Sequence, residues 1–315
     1  LGYFVAFLIS LGGLAFNIGN IGGASMGLNI VFGIDTTTAA AISGILGILL
    51  FASPKMGGVL DNTAKVLGTV MLVLIGYVAF STNPPIAEAA THAIVPTNYP
   101  WLATITLIGG TVGGYITFSG GHRLIDAGIT GREHLKDVRR AAFMGMSVDA
   151  IVRVLLFLAV LGVVSMGFAL DPKDPAGSAF LLGAGEIGHK LFGIVFFCAA
   201  LTSVVGAAYT SVSFLKTLFK VVERYEKLTI MAFIFVSTCI LIFIGKPATL
   251  LIVAGSVNGL ILPVTLAVML LATRKTNIVG DYKHNPVLFY TGWIVVLVTA
   301  YIGVTSLQGI AKLLG

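Results

Sequence analysis

The chain has 315 residues, of which 57% are hydrophobic and only 10% charged, with a mean hydropathy of +1.01 and a formal net charge of +6. An ordinary soluble domain carries roughly 25% charged residues, so this chain cannot cover its surface with polar groups in water. We therefore predict an all-α polytopic membrane protein, whose surrounding partner is the lipid bilayer. Its 39 glycines are typical of membrane helices that pack closely or are broken.

Apolar runs define the predicted spans, because about 20 consecutive apolar residues cross a bilayer. Turn and charge signals such as "SPKMGG" and "DPKDPAG" separate nine of these runs. The runs lie near residues 2–32, 37–53, 64–81, 100–120, 148–168, 189–213, 228–245, 247–272 and 286–309.

The basic residues predict an orientation for these spans. If the nine spans alternate, one set of loops holds fourteen Lys and Arg residues and the opposite set holds four. The positive-inside rule then places residue 1 in the cytoplasm and the C-terminus outside. The net positive charge is therefore a topology signal, and we expect no nucleic-acid partner, since nucleic-acid readers gather basic residues on a soluble face.

Two asparagines interrupt the first run, "GGLAFNIGNIGGASMGLNIVFG". Asn17 and Asn20 are three residues apart and so share a helix face near mid-depth. Gly19, Gly23 and Gly27 recur every four residues and predict a close approach by another helix. Two interpretations remain open for the asparagines: they are hydrogen-bond links between helices, or they line a polar pathway.

The fourth run contains "LIGGTVGGYITFSGGHRLIDAG", residues 107–128, with paired glycines at 109 and 110, 113 and 114, and 120 and 121. Each glycine costs about 1 kcal/mol of helix propensity relative to alanine, so the pairs predict a discontinuous helix near 107–121. Unwound backbone survives at membrane depth where protein or a cavity satisfies it, and secondary transporters hold cargo with such groups. The predicted substrate site comprises Gly110, Thr111, Gly113, Gly114 and Tyr115. The alternative is that these glycines only permit tight helix packing.

Two later runs carry further polar residues. "CAALTSVVGAAYTSVSFLKT" places Thr202 and other small or hydroxylated residues along one side of a helix, although Ser and Thr can also bond to their own helix carbonyls. Asn258 lies in "GSVNGLILPV". We predict that Thr202 and Asn258 line the pathway together with Asn17 and Asn20.

Matches to enzyme motifs occur in the sequence only within or at the entry to predicted spans. "GAGEIG", residues 183–188, matches the dinucleotide-binding pattern, but no predicted β-strand precedes it and it lies at the entry to a predicted span. HExxH does not occur, and the one GxSxG match, residues 23–27, lies inside the first apolar run. We predict that the chain is not an enzyme and has no resident cofactor.

At "GGTVGGYITFSGGH" and "NIGNIGGASMGLNIVFGI" the chain resembles the NRAMP family of divalent metal transporters, and more closely a divergent bacterial branch of it. The resemblance implies a LeuT-type inverted-repeat bundle in the bacterial inner (plasma) membrane. The nine spans would correspond to the third through eleventh family helices. On that basis 1–82 is the remainder of the first repeat, 100–272 the second repeat, and 286–309 an extra C-terminal helix of one transmembrane domain. The chain has no initiator Met, and we expect the first two helices to be absent from it.

The family's motifs carry over to this chain with departures. Where the family presents Met-Pro-His in its unwound sixth helix, this chain has Gly113, Gly114 and Tyr115, so the soft thioether ligand is missing. The family's metal-binding backbone carbonyl would map to Gly110. The family's proton-route Asp and Glu would become Asn17 and Asn20, which do not titrate.

Three functions remain open at this point. The first is a secondary-active transporter that moves a divalent cation (Mg²⁺, Mn²⁺ or Fe²⁺) by alternating access through an oxygen-lined site, with protons as a candidate coupled ion. The second is the same fold carrying a small organic acid such as 5-oxoproline. The third is a non-transporting membrane subunit whose glycines serve packing alone.

Overall fold

A computed structural model describes residues 2–131 and 133–314 of the chain. Within those ranges the regular elements are helices and no β-strand occurs. In chain order the helices are α1 (Gly2–Phe32), α2 (Thr36–Ala52), α3 (Pro54–Ser81), α4 (Ile86–Ile94), α5 (Trp101–Val112), α6 (Gly114–Asp126), α7 (Leu135–Ser165), α8 (Pro175–Leu218), α9 (Lys220–Arg224), α10 (Glu226–Ile244), α11 (Pro247–Ala272), α12 (Thr276–Val279) and α13 (Pro286–Leu314).

Each of the nine predicted runs corresponds to helix. In the described part of the chain, 7 helices are long and apolar enough to cross a membrane, counting 101–121 as one span. The end of α3 forms a further candidate with α4, from which it is bent by 103°, and α2 is a shorter apolar helix of 17 residues. The prediction of a polytopic helical membrane protein is confirmed.

Two helices begin earlier than their apolar runs predict. α7 begins at Leu135 and not near 148, and α3 at Pro54 and not near 64. α8 begins at Pro175, but a kink at Gly185 divides it, and its longer part begins close to the predicted residue 189. Hydropathy marks only the part of a helix that meets lipid, whereas helix formation continues into the polar residues before it. The Asp149–Arg153 ion pair, with Nε 2.8 Å from Oδ2, lies at the start of the apolar run of α7.

The chain forms two compact units. The first unit comprises Leu1–Asn20, Pro100–Arg123 and Val204–Gly315, and the second comprises Ile21–Tyr99 and Leu124–Ser203. Both units combine segments from before and after residue 100, so they do not follow the boundaries of the predicted repeats. The division into repeats at 1–82 and 100–272 stays a prediction.

In the second unit, close packing joins α1 to α8. A Cβ placed on Gly27 would lie 2.6 Å from the backbone nitrogen of Phe197, and one on Gly193 would lie 2.5 Å from Cγ2 of Ile30. Lys190 donates hydrogen bonds from Nζ to the carbonyl oxygens of Ile30 (2.9 Å) and Val31 (2.8 Å). These are among the last carbonyls of α1, where a cation compensates the negative end of the helix dipole.

Candidate functional site

The fourth span is interrupted at Gly113. α5 ends at Val112 and α6 begins at Gly114, and between them Gly113 has φ −52° and ψ 161°, an extended conformation. The amide of Thr117 donates to the Gly113 carbonyl (3.0 Å) and the Thr117 hydroxyl donates to the Val112 carbonyl (3.0 Å). A helix end and a helix start, each with backbone groups that lack intrahelical partners, therefore lie inside one span. The predicted discontinuous helix is confirmed.

The glycines of this span fall into two groups. Gly109, Gly113 and Gly114 are buried against α11: a Cβ on Gly109 would overlap the carbonyl oxygen of Gly255, and one on Gly114 would lie 2.8 Å from Oγ1 of Thr265. A Cβ on Gly113 would overlap the carbonyl oxygen of Gly109. Around Gly110, by contrast, no atom lies within 4 Å of an added Cβ. Both interpretations of the sequence are therefore partly right, since one face serves packing and Gly113 also breaks the helix.

Tyr115 follows the break and is almost fully buried within the first unit. Its hydroxyl donates to the carbonyl oxygen of Ala207 (3.3 Å), and its ring lies 5.8 Å from the ring of Phe16 between centroids. A Cβ on Gly12 would lie 3.3 Å from Cβ of Tyr115. Glycine at position 12 therefore gives α1 the close approach that brings Tyr115 against it.

Asn258 of α11 lies beside the break. It is 0% exposed, and a Cβ on Gly113 would lie 2.8 Å from its own Cβ. Its Nδ2 donates to the carbonyl oxygens of Gly12 (3.1 Å) and Ala254 (3.0 Å), while its Oδ1 has no hydrogen-bond partner among the described residues. Because both amide hydrogens go to carbonyls, exchanging Oδ1 and Nδ2 would lose both bonds, so the orientation is fixed. Asn258 thus presents a buried acceptor next to an interrupted helix.

Asn17 offers a second acceptor in the same unit. It is also 0% exposed, and its Nδ2 donates to Oγ of Ser237 (3.1 Å), whose hydroxyl donates in turn to the Phe233 carbonyl (2.8 Å). In the described part of the chain neither Oδ1 of Asn17 nor Nδ2 of Asn20 has a partner, although both atoms are buried. A buried polar group without a partner costs about 1–3 kcal/mol, and one explanation for such a group is a ligand that completes it.

The other predicted site residues have local partners or lie in the other unit. Thr111 is half-buried, and its hydroxyl donates to the carbonyl of Leu107 on its own helix (2.5 Å). Thr202 belongs to the second unit, and its hydroxyl bonds to the carbonyls of Cys198 and Ala199. The local bond proposed for Ser and Thr therefore accounts for Thr202. Sequence reasoning missed Gly12 and Ser237, and for Gly12 the "GG" pair before Asn17 was an available signal.

The chemistry of this site is that of neutral oxygens. Within residues 2–131 and 133–314, no group of three or more His, Cys, Asp or Glu side chains is placed to hold a metal ion. The first unit offers the unpartnered amide oxygens of Asn17 and of Asn258, the latter beside the main-chain groups of the Gly113 break. Oxygen donors of this kind suit hard cations better than soft ones.

A second interruption lies in α8, in the other unit. Gly185 has φ 66° and ψ −170° inside the helix, and it is part of the "GAGEIG" motif. Asp174 directly precedes α8, and His189 lies four residues after the break. Nε2 of His189 is 3.9 Å from Oδ2 of Asp174, and both side chains are about one-fifth exposed. Burial raises the pKa of the Asp174 carboxyl, an effect that a hydrogen bond from the Gly177 amide and the nearby His189 partly offset.

Comparison with known proteins identifies the family. The family model described as "Natural resistance-associated macrophage protein-like" (Nramp) matches residues 1–308. An uncharacterized membrane protein of Bacillus subtilis, YcsG, is 50% identical over 307 residues, covering 98% of this chain and 76% of that protein. An uncharacterized membrane protein of Haemophilus influenzae is 52% identical over 299 residues, covering 95% of this chain and 75% of that protein.

Solved structures share the fold. A mutant of the manganese transporter of Eremococcus coleocola matches with a TM-score of 0.66 at 15% identity, covering 98% of this chain and 72% of that one. The same transporter in complex with an aromatic bis-isothiourea compound matches with a TM-score of 0.66, covering 99% and 72%. At this identity the match shows the fold alone, and it confirms the predicted inverted-repeat helical bundle.

Proposed function

We propose, from the premise that this chain belongs to the Nramp family, that it moves a divalent metal cation across a bacterial plasma membrane by alternating access. Members of the family are membrane transporters and not enzymes, so the chain is a multi-pass membrane transporter and the prediction that it is not an enzyme is confirmed. The proposal goes beyond family membership in three respects: the transported cargo, the residues that bind it and the orientation of the chain in the membrane.

One observation carries the proposal: the unpartnered Oδ1 of Asn258 lies beside the interrupted helix at Gly113. A transported cation replaces lost water ligands with oxygens fixed by the protein, and main-chain groups freed at a helix break serve that purpose in secondary transporters. Asn17 would supply a further amide oxygen in the same unit. Gly110 and Thr111, one turn before the break, would contribute backbone carbonyls, with the Gly110 carbonyl as the closest counterpart of the family's ligand.

The proposed cargo is a hard cation that keeps part of its water shell. Neutral oxygens compensate a double charge poorly, whereas retained waters spread that charge and add ligands of their own. Mg²⁺ dehydrates reluctantly and suits this description, ahead of Mn²⁺ or Fe²⁺, which gain more from sulfur and nitrogen ligands. Asn17 and Asn20 do not titrate, so a proton moving with the cation would need a different carrier group.

The proposed orientation has residue 1 in the cytoplasm and the C-terminus outside. Its support is the excess of Lys and Arg in one set of loops, fourteen against four. Leu1 and Gly315 themselves lie outside the described residues.

The test is cation flux into liposomes that contain the purified full-length protein. Asn258→Ala should lower the initial rate of Mg²⁺ or Mn²⁺ uptake at least tenfold, because it removes the acceptor beside the break. Its folded yield should change little, since the loss of two hydrogen bonds is offset by the loss of a buried unpartnered oxygen. The matched control is Ser43→Ala, which deletes a fully buried hydroxyl that bonds to its own helix carbonyl at Ala39.

Two results would overturn the proposal. Equal cation uptake by Asn258→Ala and Ser43→Ala would show that the cation does not bind at Asn258. Uptake of labelled 5-oxoproline without any metal, combined with no cation flux, would replace the proposed cargo by an organic acid.

A further inference from the structure

Three basic residues share one face at the start of α7. Lys136, Arg139 and Arg140 are spaced i, i+3 and i+4, and Phe143 continues the same face at i+7. All four are exposed, and together with Leu135 they line an open depression of about 530 Å³. None of the three basic side chains has an acidic partner within 4.0 Å among the residues that the structure describes. We call these three residues the basic face.

The nearby acidic groups do not neutralise the basic face. Asp137 lies in the first turn of α7, where a carboxylate is stabilised by the amide groups of the helix start. Glu133 lies before the helix, beside Gly131, where a Cβ would overlap its carboxylate. A net positive charge therefore remains on the basic face.

The rest of α7 presents apolar side chains outward. More than half of the surface of each of these residues is exposed: Phe143, Met144, Met146, Val148, Ile151, Val154 and Phe157. Only 17% of its most apolar window is buried, the lowest share among the candidate spans. In a membrane protein such a surface contacts acyl chains, and the basic face lies at the end of it, within reach of the level of the lipid headgroups.

We propose that the basic face binds the phosphate of an anionic phospholipid, with one acyl chain of that lipid lying along Phe143 and the apolar surface beyond it. Arg guanidinium groups match phosphate oxygens in a fork geometry, and Lys adds a point charge. This lipid site requires only that the chain is a membrane protein, and it does not depend on which cargo is transported. A free phosphate ion would use the same charges but would gain nothing from Phe143, which distinguishes the two ligands.

Lipid retention measured by native mass spectrometry tests this site. Full-length protein in detergent is mixed with dioleoyl-phosphatidylglycerol or dioleoyl-phosphatidylcholine, and the fraction that keeps each lipid is compared. The protein should keep the anionic lipid in preference. The K136Q/R139Q/R140Q variant should lose that preference by about a hundredfold in apparent affinity, which is roughly fivefold for each basic residue near the membrane surface.

The matched control removes three exposed lysines elsewhere, as K227Q/K275Q/K283Q, with the same change in net charge. This variant should keep the preference; an equal loss in both triple variants would mean general charge attraction and would overturn the site. A second variant, Phe143→Ser, keeps every charge and should weaken lipid retention alone. If Phe143→Ser has no effect on lipid retention, the basic face recognises the phosphate group alone and the lipid proposal is wrong. Thermal unfolding in phosphatidylcholine micelles confirms that each variant is folded.

Discussion

The helix breaks at Gly113 and Gly185 depend on glycine for opposite reasons. Gly113 has φ −52°, which any residue adopts, but it is buried and an added Cβ would lie 2.8 Å from Cβ of Asn258. Gly185 has φ 66° and ψ −170°, a region that is essentially restricted to glycine, but no atom lies within 4 Å of an added Cβ. The first position needs the space of glycine and the second needs its backbone freedom. The same residue type therefore marks a packed contact in one unit and a helix kink in the other.

The largest effect is expected from Gly109→Ala, at the contact that surrounds the first break. Its Cβ would overlap the carbonyl oxygen of Gly255, and backbone atoms cannot rotate away as a side chain can. We expect a loss of about 3 kcal/mol in the free energy of unfolding, together with loss of transport. Thermal unfolding of the purified protein measures the first, and cation uptake in liposomes measures the second.

Gly110→Ala is the matched control for that substitution. It adds the same methyl group one position later, where the structure leaves open space, and alanine favours helix by up to about 1 kcal/mol. The variant should be as stable as wild type or more so. If it loses as much stability as Gly109→Ala, backbone flexibility and not close packing governs this segment.

A smaller effect is expected from Gly185→Ala at the second break. Here the cost is conformational, about 2 kcal/mol for an alanine held at this φ and ψ. The control is Gly145→Ala, at a regular helical position of α7 with equally open surroundings, which should not destabilise the protein. Equal melting temperatures for the two variants would show that the break at Gly185 is not maintained in the folded protein.

The smallest effect concerns pH and the carboxyl that lies before the second break. Burial raises the pKa of Asp174 above its ordinary value of 3.8. Below 3.8 this carboxyl is protonated in the folded and the unfolded protein alike, and the folded protein is most stable with respect to this group. That stability is lost as the pH rises through the higher folded pKa, because the buried carboxyl must then ionise. Asp174→Asn removes this titration, so the variant should gain stability relative to wild type as the pH increases across that interval. Melting temperatures between about pH 4 and 7 give the comparison.

Ser43→Ala serves as the control for the pH series, since it removes a buried hydroxyl and no titratable group. Its difference from wild type should stay nearly constant across the same pH range. A flat difference for Asp174→Asn as well would mean that this carboxyl is solvated in solution.

Hydropathy and glycine content predicted much of this architecture but not its details. Each apolar run corresponds to a helix, because the burial of apolar groups in lipid is a local property of sequence. The glycine pairs placed the first break within 107–121, but they could not select Gly113, since all three pairs have the same low helix propensity. The choice depends on α11, whose Gly255 and Asn258 are distant in sequence.

The break at Gly185 lies in a glycine motif whose structural role the sequence did not predict. The sequence argues against a nucleotide-binding site at "GAGEIG", and no strand precedes it in the described part of the chain. The glycines still have a structural role, because Gly185 in that motif adopts the dihedral angles of the kink in α8. The hydrogen-bond partners of Asn17 and Asn258 could not be predicted either, since Ser237 and Gly12 lie more than two hundred residues from them in sequence.

The interruption of α8 also bears on how this element fits a bilayer. Its 44 residues would extend about 66 Å as one straight helix, more than twice the roughly 30 Å thickness of the hydrocarbon layer. The turns before the kink at Gly185 extend about 15 Å and are too short to cross that layer alone, so we expect the longer part of α8 to span it. A straightened α8 would instead create a hydrophobic mismatch, which the protein could relieve only by steep tilting or by deforming the surrounding lipid.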